Sequence, residues 1–343
     1  LTFNLKHDMK KLAIGVDIGG INTAFGLVDE NGDLYAESVI STKKYPYVDD
    51  YPAYVEDLCD SMRALAQSLS FEYELTGIGI GAPNANYHKG TIETPANLWK
   101  FKEGDPNPDE SRRVFPLADD ISKCFGGVKT LITNDANAAT IGEMIYGNAK
   151  GMRDFIMITL GTGLGSGFVA NGEMVYGHDG FAGEFGHIPF FDNEIICSCG
   201  KKGCLETEVS GIAIEDKMCH LIQKGVNTIL KEKYDQQKTI HIDDIITAAK
   251  NDDNLSIELI EEAGEKVGKA VAFLINTFNP ETVIVGGNMA AAGDYIMLPL
   301  KSATNKYSLN LVYKDTKFRV SKMTENANAW GVAMLIRNKI IGI

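Results

Sequence analysis

Apolar runs that end in polar or glycine turns recur along the chain, and their periods predict alternating strands and helices. Leu12-Ala13-Ile14-Gly15-Val16-Asp17 is a continuous apolar run closed by an acid and by Gly19-Gly20, the pattern of a buried strand entering a turn. Residues 24–28 and 34–39 read as two more strands, with Asn31-Gly32 as the hairpin signal between them. Leu58, Met62, Leu65, Ala66 and Leu69 recur at helical spacing and predict an amphipathic helix over 51–69. Strands are expected at 76–80 and 128–133, the second delivering Asn134-Asp135 into a helix over 136–146. The segment 84–108 is long and polar for a plain connector, which predicts a functional or a disordered loop.

The pattern then repeats. Residues 155–160 form a strand running into Gly161-Thr162-Gly163-Leu164-Gly165-Ser166-Gly167, and Phe168-Val169 return antiparallel to a turn at Asn171-Gly172. This echoes 14–33, so the chain reads as two similar halves rather than a short-period array. Ile260, Ala263, Val267, Val271, Leu274 and Ile275 share one face of a helix over 257–278. Pro280 stops that helix, 282–285 is a buried strand, and Gly286-Gly287 opens another turn. A last helix is expected at 327–337.

Composition narrows the class. With 44% hydrophobic and 23% charged residues, 343 residues suit a soluble protein of two domains. A net charge of -13 without a basic run disfavours nucleic acid and anionic membranes. The apolar runs are too short to span a bilayer, and the polar start has no secretory signal. Three of the six Cys are isolated (Cys59, Cys124, Cys219), which fits a reducing cytoplasm rather than a disulfide framework.

The remaining three carry chemistry. His187, Cys197, Cys199 and Cys204 offer one nitrogen and three sulfurs, the donor set of a closed tetrahedral Zn²⁺ site. Glu184 and Glu206 bracket the cluster, and paired acids on a clamped loop suit a hydroxyl-rich ligand. Two glycine turns after strands can cradle phosphates, because Gly allows close backbone approach. Neither is a P-loop or a dinucleotide fingerprint. Asp17 either holds Mg²⁺ beside a phosphate or caps its turn; Asp135 either acts as an active-site acid or N-caps its helix.

Taken in order, these residues resemble the ROK family of bacterial sugar kinases and repressors, within the actin-like, hexokinase-like ATPases. The resemblance rests on Asp17-Ile18-Gly19-Gly20, Gly81-Ala82-Pro83, Asn97-Leu98, Asn134-Asp135-Ala136-Asn137, the 160–167 glycine run, Glu184-x-Gly186-His187, the cysteine cluster through Glu206, and Gly286-Gly287. It implies an α/β fold of two actin-like (ribonuclease H-like) domains with a cleft between them. The borders are expected at 1–133 plus a C-terminal helix over 325–343, and at 134–324. It implies transfer of the ATP γ-phosphoryl group to a hexose, glucose first, then N-acetylglucosamine or N-acetylmannosamine, then fructose. Asp135 would be the general base, and Asn97, Asn134, Glu184, His187 and Glu206 would bind the sugar. Asp17, Gly19, Gly20, Gly161, Thr162, Gly163, Gly165, Gly286 and Gly287 would hold ATP and Mg²⁺, and His187, Cys197, Cys199 and Cys204 a structural zinc. The 84–108 loop, with Asn97 and Trp99, would close over the sugar. A cytoplasmic homodimer is expected. A repressor would need a DNA-binding domain ahead of Leu12, where eleven residues are too few. Two positions depart from the family pattern: Ile21 replaces a Thr, and Asn84 a Gly.

Overall fold

In a computed structural model, residues 9–95 and 98–321 are described, and they divide into two compact α/β units. The first comprises 9–146 with 176–182, the second 147–175 with 183–321. The expected border at 133/134 moves to the far side of the following helix, α3 (Asp135–Ile145), which packs on the first unit's sheet. The expected C-terminal helix lies outside the described residues.

The first unit is built on a five-stranded sheet of order β3-β2-β1-β4-β8. Its strands are β1 (Lys10–Ile18), β2 (Asn22–Val28), β3 (Leu34–Ser41), β4 (Tyr73–Gly81) and β8 (Thr130–Thr133). β1 lies mid-sheet, so Leu12, Ile14, Val16 and Ile18 are all buried, which is why that run is continuously apolar. β2 and β3 return antiparallel, while β4 and β8 run parallel to β1. The parallel registers pair Asp17 with Gly81 and Gly81 with Thr133. One row at the carboxyl edge of three strands thus ends in Asp17 and, one residue beyond Thr133, Asn134-Asp135. Helices α1 (Tyr51–Gln67) and α2 (Leu117–Cys124) contribute Tyr54, Leu58, Met62 and Ile121 to this unit's core.

The 84–108 segment is more ordered than its polarity suggests. A small antiparallel sheet joins β5 (Ala85–Asn86), β6 (Thr91–Glu93) and β7 (Val114–Phe115). Trp99, expected over a ligand, is instead fully buried in the core, its ring 4.6 Å from Phe115, 5.0 Å from Tyr51 and 5.2 Å from Tyr54. Burying so large a ring outweighs exposing it in a polar loop. Asn97 lies outside the described residues. Asn84 sits at φ 53, a left-handed conformation that Gly adopts freely and Asn tolerates, which accounts for the departure there. The segment 176–182 returns to this unit: Tyr176 stacks on Tyr87 at 4.0 Å, and Asn86 Nδ2 donates to the Asp179 carbonyl at 2.8 Å.

The second unit repeats the plan, with order β11-β10-β9-β12-β13. These are β9 (Phe155–Leu160), β10 (Leu164–Ala170), β11 (Glu173–Met174), β12 (Thr282–Gly286) and β13 (Lys317–Val320). Again three strands form an antiparallel meander and the next two join in parallel. The duplication anticipated from the glycine turns is therefore a duplication of topology. Helices α4 (Glu206–Val209), α5 (Gly211–Gln223), α6 (Lys231–Gln237), α7 (Ile242–Lys250), α8 (Asn254–Phe278), α9 (Asp294–Tyr307) and α10 (Asn310–Tyr313) belong to the same unit. No helix among the described residues is long and apolar enough to cross a membrane.

Candidate functional site

The site residues form two groups, one in each unit. In the first, Asp17 is the penultimate residue of β1, and the chain then turns through Gly19, whose N–H donates to the Asn22 carbonyl at 2.9 Å. Gly20 and Ile21 are exposed at the tip, Ile21 by 68%, so this departure presents an apolar side chain where a hydroxyl was expected. Asn134 N-caps α3, its Oδ1 accepting the Ala136 N–H at 2.8 Å. Capping therefore does not require Asp135, although its own Oδ1 also accepts from Ala136 at 2.8 Å.

Asp135 keeps solvent-accessible surface while protein atoms crowd its carboxyl group. That desolvation raises its pKa, against the pull of the Ala136 and Asp135 N–H groups. Desolvation first, then the Asp135 charge, pushes Asp17 up to about 7. Two neighbouring carboxyls, both raised mainly by desolvation, make this a candidate position for a cation or a proton. The folded chain holds the Asp17 proton more tightly than the unfolded chain, so this contribution is present below about pH 4 and lost as pH rises to about 7. Asp17→Asn should therefore melt higher than the parent at about pH 8, by about 1–2 kcal/mol allowing for partial exposure, with the gap closing near pH 4. Melting curves across pH check this; a pH-independent gap would refute it.

In the second unit, the ligand atoms of His187, Cys197, Cys199 and Cys204 all lie within 4.8 Å of one another. His187 Nδ1 is 3.5 Å from Cys197 Sγ, and the sulfurs of Cys199 and Cys204 are 3.6 Å apart. Ligands about 2.3 Å from a tetrahedral zinc stand about 3.8 Å from each other, so the donor set fits that ion in type and spacing. Burial first, then the neighbouring thiols, pushes Cys204 up to about 12, a crowding that a cation would relieve. The other His187 nitrogen, Nε2, lies 3.9 Å from the Glu184 carboxylate, beyond hydrogen-bond range, so the two expected sugar contacts sit side by side.

The glycine turn between β9 and β10 lies in the same unit. Gly161 N–H donates to the Gly163 carbonyl at 3.0 Å, and Thr162 is exposed. Glu206, expected to contact sugar, directs Oε2 to the Leu164 N–H at 2.8 Å. β12 pairs Gly286 with Thr159, which sets Gly286-Gly287 beside the end of β9. Two neighbours of the turn escaped the sequence reading. Gly211 donates its N–H to the Gly161 carbonyl at 2.6 Å, and Asn288 Oδ1 would be 3.3 Å from a Cβ on Gly161. Both approach through tertiary packing, and no local motif marks them.

Comparison with known proteins matches this arrangement. The ROK family profile covers residues 13–339. The glucokinase of Halalkalibacterium halodurans is 30% identical over 330 residues, 95% of each chain. The structure of a ROK family glucokinase from Streptomyces griseus, in complex with glucose and AMPPNP, superposes with TM-score 0.77 at 28% identity, covering 95% of this chain and 99% of that one. A ROK family transcriptional regulator, homolog of the E. coli MLC protein, gives TM-score 0.83 at 25% identity, covering 96% of this chain and 78% of that one. Two repeated actin-like α/β units, a His-Cys₃ cluster beside a glycine turn and a profile match over nearly the whole length agree: the chain belongs to the ROK family.

Proposed function

We propose that the protein is an ATP-dependent sugar kinase that phosphorylates a hexose hydroxyl, with glucose as the preferred substrate. The observation that carries this reading is the Asp17–Asp135 pair at the carboxyl edge of the first sheet, a position where open α/β sheets place their chemistry. Asp135 takes the proton of the attacking hydroxyl; desolvation keeps it basic enough to do so. Asp17 is placed to hold Mg²⁺, which would supply positive charge against the transferred phosphoryl group. Asn134, Asn97, Glu184, His187 and Glu206 are assigned to the sugar, the glycine turns and Gly286-Gly287 to ATP, and the His-Cys₃ cluster to a structural zinc. The similarity to glucokinases supports ATP and glucose.

The test is a purified-protein assay of ADP release with ATP and Mg²⁺ against glucose, N-acetylglucosamine, N-acetylmannosamine and fructose. The highest kcat/KM is expected with glucose. A different preferred sugar would replace the substrate, and absence of any sugar-dependent ADP release would remove the kinase assignment. The similarity to a regulator, together with Ile21 in the first glycine turn, favours one second reading, a sugar-responsive regulator. Sugar binding by calorimetry without turnover would select it.

A further inference from the structure

One side chain joins the metal loop of the second unit to its glycine turn. Glu206 opens α4 two residues after the metal ligand Cys204. Its Oε2 accepts the Leu164 N–H at 2.8 Å, and its Oε1 stands 3.8 Å from the Cys197 sulfur. The same stretch meets the turn again at Gly211, whose N–H donates to the Gly161 carbonyl at 2.6 Å. Neither contact leaves room for an added atom. A Cβ on Gly163 would stand 2.5 Å from Glu206 Oε2, and one on Gly211 would stand 2.9 Å from the Gly161 oxygen. The turn is thus held at Gly161 and Leu164 by a segment that begins at a metal ligand.

We propose that Glu206 is a positioning residue that transmits the state of the metal loop to the glycine turn, so that nucleotide affinity depends on the bound metal. A carboxylate accepting a backbone N–H is among the stronger hydrogen bonds, and it fixes which way the Leu164 peptide faces. The peptides before it are then set by the closure of Gly161 on Gly163. With the metal loop loose, Glu206 loses its fixed origin, and the turn must be ordered at the expense of nucleotide binding. The part concerning nucleotide rests on the kinase reading, which assigns this turn to phosphates.

The test compares metal-loaded parent, chelator-stripped parent, and metal-loaded Glu206→Ala and Glu206→Gln. Two quantities are read: hydrogen exchange of the Leu164 amide, and the Kd for ATP by calorimetry without sugar. In the stripped parent and in Glu206→Ala, Leu164 should exchange faster and Kd should rise about tenfold, the worth of one hydrogen bond to a charged group. Glu206→Gln keeps an acceptor oxygen and should restore both to within about threefold of the parent. A residue that only binds sugar would move neither quantity. Unchanged Leu164 exchange in the stripped parent overturns the proposal, as does unchanged ATP affinity in Glu206→Ala that retains its metal. If loaded parent binds no ATP at all, the kinase reading fails instead, and Leu164 exchange still decides the coupling.

Discussion

Asp135→Asn is expected to lower sugar phosphorylation by a factor of about 10²–10⁴, the usual worth of a positioned general base. The fold should survive, because Asn134 caps α3 and the amide oxygen of the substituted side chain still offers an acceptor to the Ala136 N–H. Stability should even improve at neutral pH. The Asp135 carboxyl is raised above its ordinary value by desolvation, so its ionisation opposes folding, and a neutral amide does not ionise. The same shift sets the pH profile of the parent: turnover rises with pH as Asp135 loses its proton, then levels off. Loss of turnover with an unchanged or higher melting temperature and unchanged metal content is the signature sought. Near-normal turnover in a folded variant would remove Asp135 from the mechanism.

Changing any of the three cysteine ligands should empty the metal site, and Cys204→Ser offers the sharpest case because Cys204 is fully buried. Elemental analysis should find about one zinc per chain in the parent and almost none in the variant. Besides the metal, the loop is held by scattered backbone bonds, such as Phe190 and Phe191 N–H to the Gly203 carbonyl and Cys197 N–H to the Lys201 carbonyl. Its isolated bridges, Pro189 with Cys204 and Ile196 with Lys202, are single pairings rather than a sheet. Metal-binding free energy is folding free energy for such a loop, so a loss of about 3 kcal/mol or more is expected, read as a lower melting temperature. Glu184 and Glu206 sit on the affected loop, so sugar affinity should fall as well. Parent protein that is free of zinc after purification without chelators, yet fully active, would refute the assignment.

How far the chain could be read in advance follows the range of the forces involved. The apolar run at 12–17, the helical stripe from Leu58 to Met62, the start of α3 after Asn134 and the cysteine spacing are local, and each appears where the sequence placed it. The repeated strand–glycine–strand unit announced the duplicated sheets for the same reason. The edge strand β13, with its short Lys-Phe-Arg-Val sequence, gave no such signal, because only pairing with β12 makes it a strand. The 84–108 segment was polar on average, and averages conceal one large ring. Trp99 reached the core because Tyr51, Tyr54 and Phe115, from other parts of the chain, close around it.

The ordered motifs from Asp17 to Gly287 sufficed to mark the family, and the cysteine cluster and the two glycine turns are each legible because their residues lie close along the chain. Tertiary structure alone decided that the Asp135 charge reaches Asp17, that Glu206 turns to the Leu164 amide, and that Gly211 closes on Gly161. Those contacts join residues dozens or more positions apart. Their geometry follows from strand register and packing, which no local pattern encodes.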